Sequence, residues 1–209
     1  MREVATVGGL SVVEVAPGPQ PPICVVDFAR FVDTTTLAML LAGNNRGHAV
    51  YRIDPLRDLH RARPESLVAL AAGYAEVLFA ARIEPMAVAS YCSMANLGVR
   101  LAGEFGVPAI PVEPAWPDEQ LVRREELAVH PALQEADRFL SWLRFLRLTA
   151  AAPEPEPAPG LHLITSFDRD YGPAPGWSGP VPRTVLRIPH NSLLEAPNVA
   201  NLVHAIVDK

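Results

Sequence analysis

The chain has 209 residues, 49% apolar and 20% charged, which suits one well-buried core and is too apolar for a disordered segment. Its net charge of −5, with Lys209 the sole lysine, gives no reason to expect nucleic acid or an anionic membrane as partner. Cys24 and Cys92 are the only cysteines, form no disulfide framework and stand at no metal-ligand spacing, so neither metal nor cofactor is expected.

The N-terminus lacks a basic start followed by an apolar block, and no apolar run is long enough to span a bilayer; the expectation is a single cytoplasmic domain over 1–209. Leu10 to Val15 reads as a strand that ends in the turn Pro17-Gly18-Pro19-Gln20-Pro21-Pro22. Ile23 to Phe28 is a buried-strand run, Thr34 to Ala42 a short helix closed by Gly43 and Asn44-Asn45, and Ala49 to Ile53 a further strand stopped by Asp54-Pro55. Pro64-Glu65-Ser66 opens a long helix to about Ile83. Its Leu67, Leu70, Ala71, Tyr74, Val77 and Leu78 make the one apolar stripe of a helix lying on a sheet. Met86 to Ala89 is a strand, Ala95 to Phe105 a helix, and Pro108 to Val112 another short strand.

Strand and helix alternate through this stretch, which predicts an α/β class: a mainly parallel sheet of about six strands with helices on both faces. Asp118 to about Leu148 predicts helix interrupted near His130-Pro131, a cap-like insertion at about 118–148 or a plain core helix. As a cap it would bring Phe139, Trp142, Leu143 and Phe145 along an apolar channel towards Cys92. The proline-rich stretch within 151–160 predicts a stiff, solvated connector. Leu161 to Thr165 is then a strand entering the acidic turn Asp168-Arg169-Asp170, Val185 to Ile188 another, and Asn198 to Val207 the last helix.

Chemistry concentrates at Ser90-Tyr91-Cys92-Ser93-Met94, a polar turn between strand and helix. Such a bend pushes its central side chain above the sheet edge and aims the following backbone N–H groups at a developing oxyanion. The usual frame is G-x-S-x-G; here serine is replaced by cysteine and both glycines by Ser90 and Met94. Cysteine is the better nucleophile once ionised, although a lone cysteine is more often a small buried hydrophobe. His190, in the turn Pro189-His190-Asn191-Ser192 after the last strand, stands where a general base is needed. His48, His60, His130, His162 and His204 read as ordinary surface histidines. The orienting carboxylate is Glu113, ending the strand after the elbow helix, or Asp168, with Asp170 third. Asp54 and Asp58 read as turn or cap residues.

From Ile23 onward these pieces resemble an α/β-hydrolase thioesterase of the polyketide and nonribosomal peptide synthase type. The resemblance rests on Gly47-x-x-Val50-Tyr51, the helix from Pro64 to Ile83, the elbow followed by Asn96-Leu97 and Leu101-Ala102, Gly106-Val107-Pro108, and Pro189 to Leu194 as a histidine loop. It implies a Cys92-His190-acid triad that releases an acyl chain, by hydrolysis or cyclisation, from a thioester on the pantetheine arm of an acyl or peptidyl carrier protein. It also implies acyl contacts from Phe28, Tyr91, Ser93, Met94, Phe139 and Trp142. Against it stand the missing glycines, an N-terminus short for this fold, and Asp27-Phe28-Ala29-Arg30 where such enzymes keep a small glycine-rich oxyanion loop. Two alternatives therefore stay open: a degenerate hydrolase fold that only binds an acyl chain or synthase, and an acid-base cyclase without a covalent intermediate.

Overall fold

A computed structural model describes residues 1–28, 35–127, 136–168, 177 and 180–208. Its strands are β1 (Arg2–Val7), β2 (Leu10–Ala16), β3 (Gln20–Val26), β4 (His48–Ile53), β5 (Ala87–Tyr91), β6 (Ala109–Val112), β7 (Leu163–Ser166) and β8 (Arg183–Leu186). Its helices are α1 (Leu37–Gly43), α2 (Pro55–Asp58), α3 (Leu67–Ala80), α4 (Ala95–Phe105), α5 (Glu119–Leu127), α6 (Ala136–Ala150) and α7 (Pro197–Val207). One sheet of eight strands runs in the order β1-β2-β4-β3-β5-β6-β7-β8. β3 to β8 are parallel, and the β1–β2 hairpin adds to β4 antiparallel. This is the α/β-hydrolase arrangement, with eight strands rather than the six expected.

The hairpin escaped the sequence reading although its turn is explicit. Gly8 and Gly9 both take positive φ (58° and 84°), as a two-residue hairpin turn requires. Elsewhere the capping logic holds: Ser66 Oγ accepts the Ala69 N–H at the start of α3, and Gly106 closes α4 in the left-handed region. Alternation along β3 sends Cys24 and Val26 to one face and Ile23 and Val25 to the other. The first face packs against α3, α4 and Phe145 of α6; the second packs against Leu37 and Leu41 of α1 and Val199 and Val203 of α7.

Several expectations need correction. The connector is not wholly solvated: Pro155 and Ala158 are buried, and the Trp177 indole donates to the Pro155 carbonyl at 2.6 Å. His48 and His204 are buried, not surface residues, and stack with ring centroids 5.6 Å apart. Their burial follows from position, since one opens an inner strand and the other faces the sheet from α7. Asp54 does cap α2, accepting the Leu56 and Arg57 N–H groups. Asp58 instead is a buried hub that accepts from the Ser11 N–H, the Ser11 hydroxyl and the Tyr74 hydroxyl. The expected break near His130-Pro131 and residue Asp170 lie outside the described residues. No described helix is long and apolar enough to cross a membrane.

Candidate active site

Parallel strands all point their C-terminal ends the same way, so the side chains that follow them collect along one edge. Val26 pairs with Ser90, Tyr91 with Val112, Val112 with Ile164, and Ser166 with Leu186. Counting on from that register, Phe28 comes two residues after Val26 as Cys92 comes two after Ser90, and Glu113 follows β6 as Cys92 follows β5. His190 opens a six-residue 3-10 turn, His190–Glu195, after β8.

Cys92 begins a 3-10 turn, Cys92–Met94, that runs directly into α4. Its φ is +53°, a region a side-chain-bearing residue enters at a cost of about 1–2 kcal/mol. The carbonyl of Cys92 holds it there by accepting two N–H groups, from Ala95 and, at 3.1 Å, from Ala115. The elbow therefore forms without its two glycines, and the reason lies one helical turn further on. A Cβ built on Gly98 would sit 2.5 Å from Ser90 Cβ and 2.6 Å from Ser90 Oγ. The bare surface of Gly98 thus makes the room that a glycine at position 90 would otherwise make. Sequence reasoning missed Gly98 because its partner is fixed by packing; the available signal was a glycine inside a helix. Ser93 and Met94 are buried, Met94 wholly so within the core beneath the turn, and Tyr91 packs against the cluster on the other face.

Glu113 shares the unusual backbone, with φ at +51°, and its side chain is completely buried. One carboxylate oxygen accepts the Ser166 N–H and the other lies 2.9 Å from His190 Nδ1. A carboxylate there requires Nδ1 to carry a proton, which makes Nε2 the ring nitrogen able to accept one. His190 keeps 17% of its side chain exposed, so the imidazole spans the step from buried acid to open edge. Asp168 meets the same residue differently: its Oδ1 accepts the His190 backbone N–H at 3.0 Å. Of the two candidate acids, Glu113 touches the ring and Asp168 the backbone.

Cys24 makes the contrast with Cys92. It lies wholly inside β3, and burial pushes its thiol up to about 12, whereas Cys92 is part-exposed at the edge. Over the edge, Trp142 of α6 stacks on Phe28 at 5.1 Å and on Phe145 at 6.5 Å. Leu143 and Phe145 are core residues, whereas Phe139 and Trp142 stay partly exposed. Three clefts found among the described residues are lined by neither Cys92, Glu113 nor His190. Nor do the described residues hold a group of three or more His, Cys, Asp or Glu side chains that could bind a metal.

No family model and no curated protein matches the chain. Solved structures do. The chain is similar to the NocB thioesterase domain, solved as a covalent complex with a fluorophosphonate nocardicin G analogue, at 17% identity and a TM-score of 0.73. That match covers 95% of this chain and 100% of the other. It is also similar to the type II thioesterase BorB from the borrelidin biosynthetic cluster (18% identity, TM-score 0.65, 99% of each chain). A third similar structure is 1H-3-hydroxy-4-oxoquinoline 2,4-dioxygenase (13% identity, TM-score 0.65, 99% of this chain and 100% of the other). At these identities the likeness is one of fold, and the fold hosts more than one chemistry.

Proposed function

We propose that this protein is a thioesterase-type acyl-transfer enzyme in which Cys92, His190 and Glu113 act as nucleophile, base and orienting acid. The observation that carries this reading is the buried Glu113 carboxylate on His190 Nδ1, at the same sheet edge as a cysteine in the left-handed elbow conformation. His190 Nε2 takes the Cys92 proton, and the thiolate adds to a thioester carbonyl. The oxyanion then collapses with loss of the carrier's thiol, protonated by the imidazolium. Water, deprotonated by His190, or a hydroxyl or amine of the acyl chain itself, attacks the acyl-cysteine and restores the thiol. The helix running from Cys92 through α4 offers the Ser93 N–H to the oxyanion. The substrate class is an acyl or peptidyl chain on a pantetheine arm, in keeping with the thioesterases among the similar structures. In this proposal Phe28, Tyr91, Phe139 and Trp142 meet the acyl chain, Ser93 contributes backbone, Met94 supports the turn from below, and α6 serves as the cap.

A second reading, binding without turnover, draws on Asp27, both of whose carboxylate oxygens are engaged within the protein at the oxyanion-loop position. One experiment separates the two. Iodoacetamide should alkylate Cys92 much faster than Cys24, His190→Ala should slow that labelling at pH 7, and most of the difference should vanish at pH 9. Thioester turnover should disappear in Cys92→Ala. Equal labelling of both cysteines, or turnover that survives Cys92→Ala, rejects the covalent mechanism.

A further inference from the structure

The residue at the end of β3 is a carboxylate where a small residue would suffice, and it is fully buried. Asp27 Oδ2 accepts the Ala38 N–H in the first turn of α1 at 2.8 Å, and Oδ1 accepts from Arg52 Nε at 2.5 Å. Arg52, at the end of the neighbouring strand and 14% exposed, also donates to Asp54 at 3.0 Å. Asp54 in turn accepts from Arg138 of α6 at 3.1 Å. One turn along α6, Trp142 stacks on Phe28, the residue that follows Asp27. Burial alone would pull the Arg52 guanidinium down, but Asp27 and then Asp54 outweigh it and hold it above its ordinary value. Burial in turn raises the Asp27 carboxyl above the usual carboxylate range, with Arg52 and the Ala38 N–H opposing. Asp27, Arg52, Asp54 and Arg138 thus form one continuous run of side-chain contacts that holds Phe28 from both the sheet side and the helix side.

We infer that Arg52 is a positioning residue: through Asp27 it holds the Phe28 backbone beside Cys92 as the second oxyanion donor. The inference rests on the proposed acyl-transfer reading. A glycine-rich loop brings its N–H close by having no side chain; here the Arg52 contact anchors the residue before Phe28 instead. Arg138 extends the hold to α6, so the same chain sets the height of Trp142 over the Phe28 ring.

The test uses two reactions of the same thiol. Alkylation by iodoacetamide displaces iodide at saturated carbon and forms no oxyanion, whereas thioester turnover passes through one. Arg52→Met should lower kcat for a pantetheine thioester about 10- to 100-fold, the loss expected from a displaced donor, with KM little changed. The rate of Cys92 alkylation should stay within about twofold of wild type, because the Cys92–His190 side of the site is left alone. Arg52→Lys, which keeps the charge but not the fork, should fall between. If Arg52→Met does not fold, Arg52→Met with Asp27→Asn, which leaves no buried carboxyl without its partner, carries the same comparison. Unchanged kcat in these variants overturns the inference, and so does an alkylation rate that falls as far as kcat. Absence of thioester turnover in the wild-type protein would instead overturn the acyl-transfer reading on which it rests.

Discussion

Replacing Gly98 by alanine puts a methyl group where the chain has no space for one. The new Cβ would lie 2.5 Å from Ser90 Cβ and 2.6 Å from Ser90 Oγ, while carbon atoms in contact prefer about 3.5–4.0 Å. The missing distance is about 1 Å, and Ser90 Cβ cannot give it by rotating, because its position is set by the backbone of β5. Helix α4 must then move off the sheet. Overpacking typically costs about 1–3 kcal/mol, and at so short an approach the upper part of that range, about 2–3 kcal/mol, of which alanine's better helix propensity returns about 1 kcal/mol. The net loss of about 1–2 kcal/mol lowers Tm by about 2–8 °C in a chain of this size. Ser90→Gly removes the two opposing atoms and leaves the Cα of residue 90, 3.8 Å from the built Cβ, as the nearest neighbour. The double variant should therefore recover the loss, with a coupling energy of about 1–3 kcal/mol in a denaturant-unfolding cycle. Because α4 carries the elbow, Gly98→Ala should also slow thioester turnover by up to about 100-fold, the effect of a misplacement near 1 Å, and Ser90→Gly should restore it. Gly98→Ala with wild-type stability, or additive effects of the two changes, would refute the idea that Gly98 stands in for an elbow glycine.

The two acids at the histidine should separate cleanly. Glu113→Gln should cut kcat about 10²- to 10⁴-fold by upsetting the tautomer and charge at Nδ1. Asp168→Asn, whose amide oxygen still accepts the His190 N–H, should lose less than about tenfold; the reverse ranking would make Asp168 the acid. Stability should also carry a signature of His204, whose pKa is lowered by burial first and then by His48 and Arg46, with Asp208 opposing. The folded protein then binds this proton less readily than the unfolded chain. The His204 contribution is complete above about pH 6.5 and is lost as pH falls through that value towards the lower folded pKa. Denaturation midpoints between about pH 7 and 5 should fall for wild type and flatten in His204→Leu, and an unchanged slope would count against this account.

What the sequence determined by itself was whatever depends on near neighbours. Periods of two and three to four residues placed β3 to β8 and α3, α4, α6 and α7, usually within a few residues of their ends, because alternation and capping are local. The strand-turn-helix at Cys92 and the histidine after the last strand were legible for the same reason: each is defined by the elements on either side. Even the missed hairpin was local, since Gly8-Gly9 between apolar runs is a turn signal that went unread. Tertiary structure alone decided matters of distance across the sheet. Whether Glu113 or Asp168 reaches the imidazole depends on how β6, β7 and the His190 turn sit side by side, and either residue type satisfies the local pattern. That Gly98 makes room for Ser90 is a fact about a helix lying on a strand, and spacing in the chain does not encode it. Asp27, Arg52, Asp54 and Arg138 carry no motif. They form one chain of contacts, buried at its Asp27 end and part-exposed beyond it, only because the ends of two parallel strands and one distant helix converge, and a carboxylate as buried as Asp27 is costly without a partner.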